Sequence, residues 1–271
     1  MQQISHAILV SIDGLRPDAL SVAETPVLRR LISGGASTME CRTDMPSVTL
    51  PCHQTMLRGV GVGRHGVNTN VFHPLVRPVP SLIDAARQRG LRTGSFYNWE
   101  QLRDLSDPGS LDVSHYCHAV DTAEGDQRVA ETAVEHLERL DPGFAFVYFG
   151  HLDHVGHRDG WMSANYLDAI ANADLCIGRL VEAQEGAGRL ASTVVLVTSD
   201  HGGHERVHGT EMDEDMLVPW VLWGAGIRRG HAIEEQVELR DTCTTLAHIL
   251  GVAPAPEWEG RVITQALAEP E

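Results

Sequence analysis

The sequence is poor in positive charge. Lysine and arginine together number 21, against 37 aspartate and glutamate residues, and the formal net charge is −16 at pH 7. A chain this acidic does not hold nucleic acid or an anionic membrane by bulk electrostatics. We therefore expect neither a nucleic-acid polymer nor a membrane among its partners. An anionic substrate would need local cations, which points towards bound metal.

Paired cysteines and long apolar stretches are also lacking. The cysteines are five in number, without a CxxC pair: Cys41, Cys52, Cys117, Cys176 and Cys243. They predict reduced thiols rather than a disulfide framework or a zinc ribbon. No apolar run approaches the roughly 20 residues that span a bilayer, and no signal sequence is recognised after Met1. We expect one cytoplasmic domain over residues 1–271, as a monomer or a homodimer.

Short apolar runs without polar alternation recur along the chain. They occupy residues 7–12, 144–149 and 193–198, with a shorter one at 220–223. Such runs are typical of strands buried on both faces of a parallel sheet. Helical spacing or helix punctuation marks residues 80–88, 130–140, 163–180 and 240–250, and Ser163 is a candidate cap. The pattern predicts an α/β fold, a mostly parallel doubly wound sheet flanked by helices.

An aspartate follows each of the three longer runs. Asp13 comes directly after the first, Asp153 lies four residues beyond the second, and Asp200 closely follows the third. Ligands of open α/β sheets bind beyond the carboxyl ends of the strands. These three carboxylates, distant in sequence, are therefore predicted to converge on one edge of the sheet.

Histidines bunch around two of these aspartates. Six of the 15 fall in two windows, His151-Leu-Asp-His-Val-Gly-His157 and Asp200-His-Gly-Gly-His-Glu-Arg-Val-His208. Converging carboxylates repel one another unless a cation compensates. Aspartate with neutral imidazole suits zinc, with manganese or iron acceptable. The donors outnumber those that one tetrahedral ion accepts, which favours two metal ions. A hydrogen-bonded polar cluster and an adventitious metal site are the competing interpretations.

The motifs, taken in order, resemble the alkaline phosphatase superfamily and, within it, the nucleotide pyrophosphatase/phosphodiesterase branch. The matching stretches are Asp13-Gly14, Pro46-Ser47-Val48-Thr49-Leu50-Pro51-Cys52-His53, His65-Gly66-Val67-Asn68-Thr69-Asn70, Asp153 to His157, Asp200-His201-Gly202, and His208-Gly209 ahead of Pro219-Trp220-Val221-Leu222-Trp223-Gly224. They cover nearly the whole chain. The resemblance implies an alkaline phosphatase-like core.

This resemblance implies a site with two divalent metal ions, for which we expect zinc, with manganese as the alternative. Thr49 is implied as the nucleophile and Asn70 as a hydrogen-bond donor to a non-bridging phosphoryl oxygen. The implied metal ligands are Asp13, Thr49, Asp200 and His201 for one ion, and Asp153, His157 and His208 for the other. His208 is preferred to His204 because the family's last ligand is a histidine followed by glycine.

These implied roles predict a hydrolase of small-molecule phosphate esters, a phosphodiesterase or phosphatase. Coordination to a divalent ion lowers the pKa of a hydroxyl, so the expected mechanism passes through a phosphothreonine at Thr49. Two alternatives use the same residues: a phosphonate (C–P) hydrolase and a phosphotransferase. A non-catalytic metal-binding protein of this fold is the third.

Departures from the family pattern bear on the substrate. Sulfatases have Cys or Ser, then x-Pro-Ser/Ala-Arg, whereas this chain has Thr49-Leu50-Pro51-Cys52-His53, which disfavours sulfatase chemistry. Leu50 stands where the phosphodiesterase branch usually has an aromatic that stacks on a nucleobase, so diesters or phosphonates are favoured over bulky nucleotides. The chain has no room for a large cap insertion, and we expect a minimal core.

Overall fold

The computed structural model describes residues 4–75 and 78–269 and contains one eight-stranded sheet. Its strands are β1 (His6–Ile12), β2 (Ala36–Arg42), β3 (Thr93–Tyr97), β4 (Val113–Tyr116), β5 (Phe144–Phe149), β6 (Thr193–Thr198), β7 (Leu217–Gly224) and β8 (His231–Ala232). The strand order is β4-β3-β5-β1-β6-β7-β2-β8, and only β7 runs antiparallel to its neighbours. The predicted mostly parallel α/β sheet is confirmed.

Helices cover both faces of this sheet. They are α1 (Pro26–Gly34), α2 (Thr49–Arg58), α3 (Val62–His65), α4 (Leu82–Gln88), α5 (Ala123–Leu140), α6 (His151–Asp159), α7 (Ala164–Gly186), α8 (Asp213–Met216) and α9 (Asp241–Ile249). Apolar residues of α2, α4 and α9 pack on one face, and those of α1, α5, α6 and α7 pack on the other. Within the described ranges, no helix has the length and apolar character needed to cross a bilayer.

The two covered faces explain why the central strands show no polar alternation. In β1, Ala7 and Leu9 belong to one core, and Ile8 and Val10 belong to the other. Successive side chains of a strand point to opposite faces. Since both faces are buried, every position of the strand favours an apolar residue.

Element boundaries differ from the predictions in a few places. α4 begins at Leu82 rather than at Pro80, because Ser81 caps the helix: its hydroxyl accepts from Asp84 N, and the Asp84 carboxylate accepts from Ser81 N. Ser163 caps α7 as predicted, accepting from Tyr166 N. β7 is longer than the predicted run, and β2, β3, β4 and the two-residue β8 were not predicted. These four strands carry polar residues or glycine, so they lack a continuous apolar run.

Candidate metal centre

Three adjacent strands end where the three predicted acids lie. β5, β1 and β6 are parallel neighbours in the sheet. Asp13 directly follows β1, and Asp200 follows β6 after Ser199. Asp153 lies in the first turn of α6, which begins two residues after β5. Because parallel strands end at the same edge, the three carboxylates lie together at one edge of the sheet.

Oxygen atoms of Asp13, Asp200 and Thr49 lie close to Nε2 of His201. Nε2 of His201 lies 3.3 Å from Asp13 Oδ1 and 3.3 Å from Asp200 Oδ2. The hydroxyl of Thr49 is also 3.3 Å from this nitrogen. Two ligands about 2.0 Å from a tetrahedral zinc ion lie about 3.3 Å apart. The spacing of these buried donors around Nε2 is therefore that of ligands sharing one ion.

A second group of donors consists of Asp153, His157 and His208. Asp153 and His157 are four residues apart on α6, and their carboxylate oxygen and Nε2 are 3.5 Å apart. Nε2 of His208 lies 3.7 Å from the other oxygen of Asp153. One ligand atom from each residue lies within 4.8 Å of the other two. This group also has the composition and spacing of a metal site.

The two groups form one continuous cluster. Ligand atoms of Asp153, Asp13 and His201 also lie within 4.8 Å of one another. The rings of His201 and His208 stack with centroids 3.8 Å apart and planes 13° from parallel. The family resemblance implies that Asp153 serves only the second ion. In the structure, the Asp153 carboxylate lies close to donors of both groups and therefore connects them.

One oxygen of each carboxylate in the cluster lacks a hydrogen-bond donor. Asp13 Oδ1, Asp153 Oδ1 and Asp200 Oδ2 are buried and receive no hydrogen bond from the described residues. Burial, followed by repulsion from a neighbouring carboxylate, raises the pKa of each of these aspartates. A buried carboxylate oxygen without a partner destabilises the folded protein. A bound divalent cation would supply the missing contact and reduce the repulsion between neighbouring carboxylates. The residues present therefore fit bound divalent metal.

Backbone carbonyls orient all three predicted ligand histidines. Each ring donates from Nδ1 to a carbonyl oxygen: His201 to Gly202 at 2.8 Å, His157 to Arg206 at 2.9 Å and His208 to Ser47 at 2.8 Å. A carbonyl only accepts, so the proton sits on Nδ1 and the Nε2 lone pair is directed to the cluster. Burial lowers the pKa of His208 to about 3, which keeps its ring neutral. Neutral imidazole is the form that binds metal.

His204, the alternative last ligand, has another partner. Its Nδ1 lies 2.7 Å from Asp215 Oδ1, and the Asp215 carboxylate also accepts from the backbone and hydroxyl of Thr210. His204 belongs to neither group of donors with metal-site spacing in the described part of the chain. The geometry therefore favours His208 over His204.

Thr49 is the first residue of α2. The residue before it, Val48, has extended backbone angles and makes no side-chain capping bond. The Thr49 hydroxyl is not used as a cap and instead faces His201. Asn70 lies at the same helix end, where its Oδ1 accepts from Leu50 N at 2.9 Å. This bond fixes the amide of Asn70 with its Nδ2 donor group on the other side.

Sequence reasoning missed three residues that hold the cluster in place. The hydroxyl of Tyr148, in β5, donates to Asp13 Oδ2. His53 hydrogen-bonds the Thr49 carbonyl through Nδ1 at 2.7 Å and Ser11 Oγ through Nε2 at 2.9 Å. Trp161 Nε1 donates to Gly14 O at 2.9 Å. His53 is four residues from Thr49, a spacing that could have indicated this contact.

Leu50 and Cys52 follow Thr49 but are fully buried in the core beside α2. Leu50 therefore offers no surface to a substrate. Burial raises the pKa of the Cys52 thiol, which makes it a packed thiol rather than a second nucleophile.

Comparison with known proteins adds a family match. The family model described as type I phosphodiesterase/nucleotide pyrophosphatase matches residues 7–220. The chain is 27% identical over 232 residues to ectonucleotide pyrophosphatase/phosphodiesterase family member 7 of Rattus norvegicus, covering 74% of this chain and 50% of that protein. It is 26% identical over 225 residues to an uncharacterized pyrophosphatase/phosphodiesterase of Schizosaccharomyces pombe, covering 73% and 44%. The chain thus spans about half the length of these relatives.

Solved structures share the fold at low sequence identity. Murine ectonucleotide pyrophosphatase/phosphodiesterase 5, as an inactive threonine-to-alanine variant in complex with AMP, superposes with a TM-score of 0.83. It is 16% identical, and the match covers 97% of this chain and all of that one. The phosphonate monoester hydrolase of Agrobacterium radiobacter has a TM-score of 0.79 at 18% identity, covering 98% of this chain and 78% of that one.

Proposed function

The chain belongs to the type I phosphodiesterase/nucleotide pyrophosphatase family of the alkaline phosphatase superfamily, and from this membership we propose that it hydrolyses small phosphate esters at the cluster around Thr49. The family is one of hydrolases, and the chain has its alkaline phosphatase-like fold. The nucleophile, the ligands and the preferred substrate are the parts that we infer. The observation that carries the proposal is the position of the Thr49 hydroxyl, 3.3 Å from Nε2 of His201, the same nitrogen that lies 3.3 Å from an unpartnered oxygen of Asp13 and of Asp200.

Two divalent ions would be held by the donors of the two groups. Asp13, Asp200, His201 and Thr49 would hold one, and Asp153, His157 and His208 the other. Aspartate and neutral imidazole suit zinc, with manganese as the alternative. When bound, such ions lower the pKa of a coordinated hydroxyl and offset the negative charge of the phosphoryl group.

The protein's own contribution is to place a hydroxyl and a donor around the phosphoryl group. Thr49 Oγ1 forms a bond to phosphorus while the bond from phosphorus to the leaving oxygen breaks, and the leaving alcohol takes up a proton. Water then attacks the phosphorus bound to Thr49, so that a phosphate monoester departs when the substrate is a diester, or phosphate when it is a monoester, and the hydroxyl of Thr49 is restored. Nδ2 of Asn70 donates to a non-bridging oxygen, and the N-terminus of α2 provides a favourable field for the anion.

The substrate that we propose is a phosphate diester or another small ester rather than a bulky nucleotide. The structure of murine family member 5 contains bound AMP, so a protein with this fold binds a phosphate ester. In the present chain, Leu50 is fully buried and has no aromatic ring with which to stack on a base. We therefore expect substrate binding to depend more on the phosphoryl group than on the organic group attached to it.

Activity of the Thr49 variants tests this proposal. We expect zinc- or manganese-loaded protein to hydrolyse bis(p-nitrophenyl) phosphate, and Thr49→Ala to lower kcat by about 10³-fold or more, because it removes the nucleophile. Thr49→Ser keeps a hydroxyl at the same position and should retain part of the activity. Release of nitrophenol measures the rate, and mass spectrometry of acid-quenched protein detects the phosphoryl adduct on Thr49, which keeps one nitrophenyl group.

Thr264→Ala is the matched control, because Thr264 is exposed and far from the cluster at the other edge of the sheet. It should turn over at the wild-type rate. Full turnover by Thr49→Ala would exclude a threonine nucleophile. Release of phosphonate-derived product without ester hydrolysis would favour the phosphonate hydrolase, and transfer of phosphate to added glycerol would favour the phosphotransferase.

A further inference from the structure

A cleft of about 1520 Å³ opens at the edge of the sheet opposite the metal cluster. Ile4 of its lining precedes β1, Leu190 precedes β6, and Ala225 follows the antiparallel β7. These are the strand ends opposite to those that precede Asp13 and Asp200. The cleft and the cluster are therefore separated by the full length of the central strands.

The lining of this cleft is mainly positively charged, whereas the molecule as a whole is negatively charged. The chain has no lysine, and four of its 21 cationic residues line the cleft: Arg30, Arg89, Arg228 and Arg229. Glu269 is the only carboxylate of the lining within the described ranges, and it lies 3.6 Å from Arg228. Acidic residues outnumber arginines over the whole sequence, whereas the arginines predominate here.

Helix capping accounts for only part of this cationic lining. Arg89 Nε donates to Gly251 O just beyond the end of α9, at 3.3 Å, and Arg228 Nε donates to Leu267 O at 2.9 Å. Such contacts satisfy carbonyls at the ends of elements. The exposed guanidinium groups of Arg30 and Arg229 have neither a hydrogen-bond acceptor nor a carboxylate partner among residues 4–75 and 78–269. Neither guanidinium is held in an ion pair within these ranges.

These two arginines belong to segments that meet beside a tryptophan. Gly230, next to Arg229, lies against the backbone of Ser33 in α1, which also carries Arg30; a Cβ on Gly230 would be 3.3 Å from Ser33 O. The indole of Trp223 lies against Gly34 at the end of the same helix. Trp223 is partly exposed, and its Nε1 donates to no acceptor in the described residues. The segments that carry Arg30, Arg229 and Trp223 therefore meet in one part of the cleft.

The apolar part of the lining is recessed. Leu250 is 7% exposed, and Ile249 and Leu267 are partly buried against the core. The large apolar side chains that are most exposed lie elsewhere on the molecule: Val22, Val71, Leu175, Val207 and Met212. A surface that binds a bilayer presents protruding apolar groups, so this concave site suits a free molecule that enters it.

We propose that the cleft binds a free anionic amphiphile, a small molecule with a sulfonate, phosphate or carboxylate head and an aromatic or alkyl body. Arg30 and Arg229 bind the head, and Trp223 packs with the neighbouring leucines against the body. Clefts of this kind, mostly apolar with a few convergent polar groups, are the usual form of small-molecule sites. This site is separate from the proposed hydrolysis and does not depend on it.

A matched pair of fluorescent probes tests the proposal on the full, metal-loaded chain. 8-Anilinonaphthalene-1-sulfonate carries an anionic head, and N-phenyl-1-naphthylamine has the same aromatic body without it. We expect saturable binding of the sulfonate at one site and weaker binding of the neutral probe. The double variant Arg30→Gln/Arg229→Gln should bind the sulfonate about five- to tenfold more weakly, because two ion pairs are lost, while the neutral probe is unaffected.

Arg128→Gln/Arg139→Gln is the control, because it removes the same charge from exposed positions of α5 outside the cleft. It should bind both probes as wild type does. Equal loss of sulfonate binding in the two double variants would overturn the proposal, as would a neutral probe bound as tightly as the sulfonate. Sedimentation with phosphatidylserine vesicles that depends on Arg30 and Arg229 would assign the cleft to a bilayer instead.

Discussion

At the scale of single residues, the hydrogen-bond partners of Nδ1 distinguish His208 from His204. His204 and His208 are four residues apart on one loop, so spacing does not distinguish them. Their Nδ1 partners do, since His208 donates to the carbonyl of Ser47 and His204 pairs with the Asp215 carboxylate. Both partners come from outside the histidine motif, and only the folded chain brings them together.

Metal content measures this difference. We expect His208→Ala to bind zinc with lower stoichiometry or affinity, because it removes one of three donors of its group. His204→Ala should keep its zinc but unfold at a lower temperature, since Asp215 then remains buried without that partner. Inductively coupled plasma mass spectrometry after gel filtration gives the stoichiometry.

The two variants serve as each other's control, because both remove an imidazole from the same loop. Loss of zinc from His204→Ala with full zinc in His208→Ala would reverse the assignment. Thermal unfolding of both proteins separates a missing ligand from a destabilised loop.

At the scale of elements, the ends of helices position the functional side chains. α6 carries Asp153 and His157, and its N-terminus is held by two buried side chains. Asn98 Oδ1 accepts from Gly150 N at 3.2 Å, and Asn98 Nδ2 donates to Asp126 Oδ1 at 2.7 Å. Asp126 also accepts from the backbone N–H at the first residue of α6. These bonds satisfy amide groups that a helix leaves unpaired at its start.

Burial raises the pKa of Asp126 from its ordinary value of 3.8 to about 7. Between these values, the folded chain binds more protons at this residue than the unfolded chain does. The free energy of unfolding therefore falls, through this group, as the pH rises from about 4 to about 7. The slope for one proton is at most about 1.4 kcal/mol per pH unit.

Asp126→Asn removes this titration and keeps an oxygen that accepts from Asn98. We expect the stability of the variant relative to wild type to increase as the pH rises from 4 to 7 and to level off above that range. Urea unfolding of both proteins at each pH measures this difference, in which the contributions of other groups cancel. Parallel stability curves would show that Asp126 has an ordinary pKa in the folded protein.

At the scale of the whole molecule, charge is distributed unevenly. The net charge is −16, and three unpartnered carboxylate oxygens are buried at one edge of the sheet. Arginines gather at the opposite edge. Folding thus brings like charges together at the cluster, and bound cations would offset their repulsion.

Removal of metal should therefore destabilise the whole fold. We expect chelation by EDTA to lower the melting temperature and added zinc to restore it. A ligand that binds only the folded state stabilises by about 4 kcal/mol at a thousand times its dissociation constant. Asp200→Asn should reduce the zinc-dependent rise in melting temperature, whereas Asp168→Asn, at an exposed position of α7, should show the full rise. Equal rises in both variants would place the stabilising ions away from Asp200.

Much of the fold could be predicted from the sequence because its signals are local. Apolar runs without alternation indicate strands buried on two faces, and they identified β1, β5 and β6. An aspartate beyond such a strand lies at a known edge of the sheet. Ser163 could be recognised as a helix cap from its position before an apolar helical face. The mixed composition of β2, β3 and β4 provided no such signal.

The order of motifs along the chain also determined the family, since the chemistry needs those residue types near strand ends. Tertiary structure alone decided which atoms meet. The link of Asp153 to both donor groups, the carbonyl of Ser47 on His208 and the tyrosine hydroxyl on Asp13 are contacts between remote segments. The arginine-lined cleft likewise draws on separate segments. Periodicity reports on neighbours along the chain, whereas distances between remote residues depend on how the helices pack on the sheet.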